Sequence, residues 1–132
     1  MQMAGFQIGT EYPRDFIRKW LGGNNTQVLI RPGKARNPDR KVVGCCFRSD
    51  KNSEATADVF LFGASYLPAA RAFATQQEFV PFFVKRGTNR WQFVGNHRVA
   101  EYSEDPGVIA NHKAKARHDA RVEIVLRLER QP

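Results

Sequence analysis

Cysteine is scarce in this 132-residue chain: there are two, and they are neighbours, Cys45 and Cys46. Adjacent cysteines bridge each other only with difficulty and cannot enclose a metal ion alone, which excludes a disulfide framework and a zinc finger. Long apolar runs are missing as well. None approaches the roughly 20 residues that a bilayer requires, so no membrane span is expected. The opening Met-Gln-Met-Ala-Gly-Phe-Gln-Ile lacks the basic start and apolar centre of a secretion signal. Reduced thiols in such a chain point to the cytoplasm. Neither common phosphate-cradling glycine pattern occurs, nor any repeat or low-complexity tract. Acidic residues are the scarcer charge, 13 against 21 Lys+Arg, for a net charge of +8. That excess is spread over both halves of the chain, so any basic face must be assembled by folding. A pI near 10 points to a polyanionic partner, most simply a nucleic acid.

What is present suffices for one domain. A hydrophobic share of 42% with ten Phe, three Tyr and two Trp supports a single compact core over residues 1–132. Tyr12 to Leu21 reads as a helix: Pro13 suits the first turn, and Phe16, Ile17, Trp20 and Leu21 recur on one face. Gly22-Gly23 ends it. Strand-like runs follow at 27–31, 41–48 and 58–63, the last apolar almost throughout. A second helix is expected over Leu67 to Gln76, with Pro68 in its first turn.

A hairpin then joins Phe79–Arg86 to Trp91–Val99 through Gly87-Thr88-Asn89-Arg90. In its return strand Trp91, Phe93, Gly95 and His97 are expected on one face. Pro81 suggests an edge strand, or a break in regular pairing. Residues 108–118 read as a polar helix or a loop, and Val122 to Leu128 as a closing strand. The order predicts an α+β domain: a small, curved, mostly antiparallel β-barrel with two short helices.

Catalytic equipment is thin. Glu101, Glu104 and Asp105 gather in a turn that could hold a divalent ion, but such clusters are ordinarily solvated. His112 and His118 stand in a cationic stretch without the surroundings of an HNH nuclease. The thiols read as buried in a strand. No catalytic residue, metal ligand or cofactor is therefore expected, and the residues argue for binding.

Cations offer more. Arg31, Lys34, Arg36, Arg40 and Lys41 give the first long loop a charge suited to phosphates, and Lys85, Arg86 and Arg90 flank the hairpin turn. Each neutralised phosphate releases counterions, so affinity should fall with salt. Trp20 reads as a core residue. Trp91 reads equally as core or as a stacking ring, and Tyr12 and Tyr66 stand at element ends, where a ring can line a pocket mouth.

Two segments carry a family resemblance. Phe-x-Lys-Arg-x-x-Asn-x-Trp-x-Phe-Val-Gly-x-x-Arg-Val at residues 83–99 resembles a stretch of the PUA-like and SRA-like (SET-and-RING-associated) domains attached to bacterial HNH nucleases and restriction-type helicases. Thr10-x-Tyr12-x-Arg14-Asp15 with Leu21-Gly22-Gly23 looks like the opening of the same domains. The resemblance implies a curved barrel that reads modified cytosine, 5-methylcytosine or 5-hydroxymethylcytosine, in double-stranded DNA for a restriction system. It also implies extrusion of the base into an aromatic-walled pocket, for which Tyr12, Tyr66 and Trp91 are the candidate walls. The Tyr-Asp-Gly-type pocket sequence of that family is absent, and the resemblance implies a fused or associated HNH nuclease or helicase as partner. The alternatives are an RNA-binding PUA-like module, a small metal-dependent nuclease using Glu101, Asp105, His112 or His118, and a basic protein–protein adaptor.

Overall fold

The computed structural model describes residues 6–23, 28–33, 35, 37–48, 59–116 and 121–132. Lys34, Arg36 and His118 from the sequence reading lie outside the described residues. In chain order the elements are β1 (Glu11–Tyr12), α1 (Arg14–Leu21), β2 (Leu29–Ile30), β3 (Gly44–Phe47) and β4 (Val59–Phe62). They continue with a 3-10 turn (Ala64–Tyr66), α2 (Leu67–Gln76), β5 (Val80–Gly87), β6 (Arg90–Ser103), α3 (Pro106–Ala116) and β7 (Ile124–Arg130).

One curled sheet runs β2-β3-β5-β6-β7-β4, with β1 on the first residues of β6. All pairs are antiparallel except β3 with β5. The expected mostly antiparallel, curved α+β fold is therefore present, as a half-barrel. It carries three α-helices where the sequence suggested two, because residues 106–116 are helical. Asp105 explains that helix: its Oδ1 accepts the backbone N–H groups of Gly107 and Val108, and so satisfies donors that a helix start leaves unpaired.

Strand alternation distributes side chains between separate cores. Cys45, Phe47, Phe60, Phe62, Val80, Phe82, Ile124 and Leu126 point to the concave side, where Ala70, Phe73 and Ala74 of α2 close the core. Their neighbours Cys46, Phe83, Trp91 and Phe93 point the other way and meet Ile17 and Leu21 of α1, with Phe6. A third cluster sets Val59, Leu61 and Val125 against Ile109 of α3. The doubly apolar strands of the sequence are apolar because both faces are covered. Helix α1 can approach the sheet because Gly44 has no side chain: a Cβ there would lie 2.6 Å from Leu21 Cδ1.

Two expectations about the hairpin strands need correction. Of the two readings of Pro81, the edge strand fails, since β5 pairs on both sides, while the break in regular pairing holds. The missing N–H is tolerated because pairing with β3 begins only at Phe82, and the register with β6 shifts between Pro81 and Phe83. That shift also corrects the facing of His97. Phe83 opposes Phe93 while Pro81 opposes Asn96, so β6 carries one extra residue in a bulge. Gly95, with φ +100°, sits in it. Beyond the bulge the alternation is offset: His97 lies opposite Val80, and its ring is 4.6 Å from that of Phe82 on the concave side.

Candidate nucleic-acid interface

The tip of the β5–β6 hairpin is built against the start of α1. Pro13 precedes this helix and contributes no side-chain cap. The missing acceptor comes from the hairpin turn, where Asn89 (φ +54°) accepts the Arg14 backbone N–H on its Oδ1 at 2.8 Å. Asparagine is suited to both duties, since it tolerates the left-handed region and carries a short acceptor.

Arg14 is the centre of this arrangement. It is 6% exposed and is the one buried charged residue among those described. Its guanidinium lies 5.1 Å from the Trp91 ring centroid, and Lys85 Nζ lies 5.8 Å from the same ring. The electron-rich indole face offsets part of what burying a cation costs. Burial pushes the Arg14 guanidinium below the ordinary arginine value, while the nearby Cys46 thiol and Tyr66 phenol work in the opposite direction. Trp91 pairs in register with Tyr12, so the structure brings these two together beside Arg14, whereas Tyr66 packs with the other core cluster. Arg14 appears in the sequence motif, yet nothing in that motif showed that it would be buried on Trp91.

The three aromatic candidates differ in role. Trp91 is 6% exposed and supports the two cations. Tyr12 is half-buried, stacks on Phe16 at 5.1 Å and accepts the Gln7 N–H on its hydroxyl. Tyr66 is half-buried against Phe62, 5.3 Å between centroids.

The cations fall into two groups. Lys85, Arg86 and Arg90 crowd the hairpin tip. Arg86 donates to Gln92 Oε1, and Arg90 grips Glu11 through Nε at 2.9 Å and a second nitrogen at 3.3 Å. That contact draws the Glu11 carboxyl below its usual value. Arg31 and Arg40 form the other group, in a loop ordered by Asn37. The Asn37 side chain donates to Lys41 O at 2.7 Å and accepts the Lys41 N–H at 3.1 Å. Arg31 Nε donates to Arg40 O, and the Arg31 guanidinium is held below its ordinary value, by burial first and by Arg40 second. Lys41 turns away to Glu78, 2.8 Å distant, and joins neither group.

The acidic turn is occupied by structural work. Glu101 pairs with Arg127, Glu104 with Arg71, and Asp105 starts α3. Among the described residues no three His, Cys, Asp or Glu side chains are grouped to hold a metal ion, and no helix is long and apolar enough to cross a membrane.

The curled, mostly antiparallel sheet with its helices is an SRA-like fold, as matches to solved SRA domains show. The similarity extends over nearly the whole chain. A SUVH5 SRA domain in complex with hemimethylated CG DNA matches with a TM-score of 0.65 and 14% identity, covering 99% of this chain and 92% of that one. The same SRA domain with methylated CHH DNA gives 0.64 and 15% over 99% and 92%, and with fully hydroxymethylated CG DNA 0.62 and 14% over 99% and 93%. No family model matches the chain, and no curated protein sequence does.

Proposed function

We propose that this chain is a non-catalytic module that binds double-stranded DNA and selects modified cytosine. The observation that carries the reading is the fold: the SRA domains it resembles across 99% of its length were solved on methylated or hydroxymethylated DNA. The hairpin tip supports it. Lys85, Arg86 and Arg90, with Arg31 and Arg40 and with Lys34 and Arg36 beside them in sequence, contact phosphates, which sets the protein's register on the duplex without reading sequence. Arg14 and Trp91 stiffen the base of that tip. Tyr12 and Tyr66, each half-buried, are the two candidate rings for an extruded base, and buried Trp91 supports the cations of the tip. The resemblance at residues 83–99 further supports a place as the specificity domain of a modification-dependent restriction system, next to a fused or associated HNH nuclease or helicase.

Discrimination by a methyl group in an apolar pocket amounts to about 1–3 kcal/mol, so selectivity of tens- to a few hundred-fold is expected. Titration of matched duplexes carrying cytosine, 5-methylcytosine or 5-hydroxymethylcytosine tests the reading, with an RNA duplex of the same sequence as competitor. Equal affinity for the three DNAs defeats modified-base selection, and preference for the RNA defeats DNA as the partner.

A further inference from the structure

Helix α1 presents the hairpin tip at one end and an open cavity at the other. Eight residues of helix separate them by about 10 Å. The cavity, of about 620 Å³, is walled by Trp20 and Leu21, by Val42 and Val43 leading into β3, and by Phe79 and Pro81 at the start of β5. It is a different place from Tyr12, Tyr66 and Trp91, and duplex binding as proposed above leaves it unused.

Trp20 gives the cavity its character. Its helix spacing predicts a core position, yet it is 47% exposed. It is nonetheless held in place, with the Phe6 ring 6.2 Å away and the Phe16 ring 6.3 Å away. A further concavity, lined by Trp20 with Phe16 and Lys19, brings a second cation beside the indole. Across the cavity Lys41 meets Glu78 with both side chains about half exposed, 46% and 50%. An ammonium has three N–H donors, so Lys41 keeps donors for a second acceptor. The far wall offers the side-chain amides of Asn96 and Gln131, which hold each other at 3.0 Å.

These parts suit one kind of ligand. A fixed, exposed indole is a platform on which any base can stack. An ammonium nearby suits a phosphate as a point charge. A carboxylate and amides supply the few polar groups that orient a ligand in a mainly apolar site. We propose that this cavity binds a single unpaired nucleotide, with its base on Trp20 and its phosphate on Lys41. The nucleotide can come free in solution or from an unpaired position in a strand, since the chemistry recognised is the same. The proposal goes beyond the duplex-binding reading and does not rest on it.

The test is a titration of ¹⁵N-labelled protein with cytidine monophosphate, cytidine and pentathymidylate, following the Trp20 indole N–H and the Val43 amide. The monophosphate should shift both signals and bind about three- to fivefold tighter than cytidine, the gain expected of one exposed ionic contact. Lys41→Gln should remove that difference. Trp20→Ala should weaken the monophosphate about tenfold or more while leaving methylated-duplex binding intact, and Arg86→Ala should do the reverse. The cytidine comparison needs no variant, so it holds even where Trp20→Ala fails to fold. Tighter binding of pentathymidylate than of the monophosphate assigns the site to a strand; weaker binding assigns it to a free nucleotide. Absence of any shift at Trp20 and Val43 up to about 10 mM of either phosphate-bearing ligand overturns the proposal, whatever the duplex result.

Discussion

Arg14 joins the stability of the hairpin tip to its charge. Its guanidinium lies over Trp91 and the whole residue is buried, so truncation removes both a cation and buried packing. Arg14→Ala should lower unfolding stability by about 1–3 kcal/mol, read by urea denaturation, and should loosen Lys85, which lies over the same ring. Cys46 is on the same side of the sheet, and burial pushes its thiol up to about 12 from an ordinary 9.0. Cys45, fully enclosed, is also raised. A raised thiol favours the protonated fold. That contribution is whole below pH 9 and is lost as pH climbs through 12, because the unfolded chain sheds its thiol protons first. The urea midpoint should therefore decline between pH 9 and 12, with a shallower decline in Cys46→Ala. At pH 8 a thiol reagent should leave both cysteines untouched until denaturant is added. Rapid labelling of native protein would contradict the burial.

Among the elements, the hairpin turn and α1 depend on each other through Asn89. Asn89→Ala removes the acceptor for the Arg14 N–H and should cost about 0.5–2 kcal/mol, with faster hydrogen exchange at Arg14. An Asn89→Ser variant retaining protection would show that the acceptor matters and not the residue. At the other end of β6, Gly95 holds φ +100° in the bulge that turns His97 inward. Gly95→Ala should destabilise by more than about 1 kcal/mol.

Much at this scale was legible in the residues. The α2 span, Leu67 to Gln76, follows from its alanines and Pro68, and the hairpin follows from Gly87-Thr88-Asn89-Arg90 between apolar runs. The rest depended on partners that no single segment specifies. Pro81 marks an edge only if its strand has one neighbour, and pairing between β3 and β5 is set by the crossover through β4 and α2. The bulge at Gly95 is visible only in the register with β5. Trp20 has helix spacing that suits a core position, but α1 is rotated so that Ile17 and Leu21 face the sheet. The cation clusters were legible as loops; that Lys41 leaves them for Glu78 was not.

Across the whole molecule the charge is sorted. On β6, β7 and the flanking segments, Arg98, Arg121 and Arg127 each pair with a glutamate, Glu129, Glu123 and Glu101, and Arg71 of α2 pairs with Glu104. Among the described residues, Lys85 and Arg86 at the hairpin tip form no ion pair, so both contribute undiminished to the net charge of +8. DNA affinity should fall linearly with the logarithm of salt concentration, and Arg86→Ala should reduce that slope by about 1 while weakening all sequences alike. Glu11→Gln, which frees Arg90 from its carboxylate, should tighten binding and steepen the slope.

The measurement that bears most directly on the account is equilibrium binding, at one fixed salt concentration, to three duplexes that differ only in a single cytosine. The 5-methylcytosine or 5-hydroxymethylcytosine duplex should bind tens- to a few hundred-fold tighter than the plain one, with Arg86→Ala weakening all three equally. Identical affinity for the three, with the same salt slope, would contradict it.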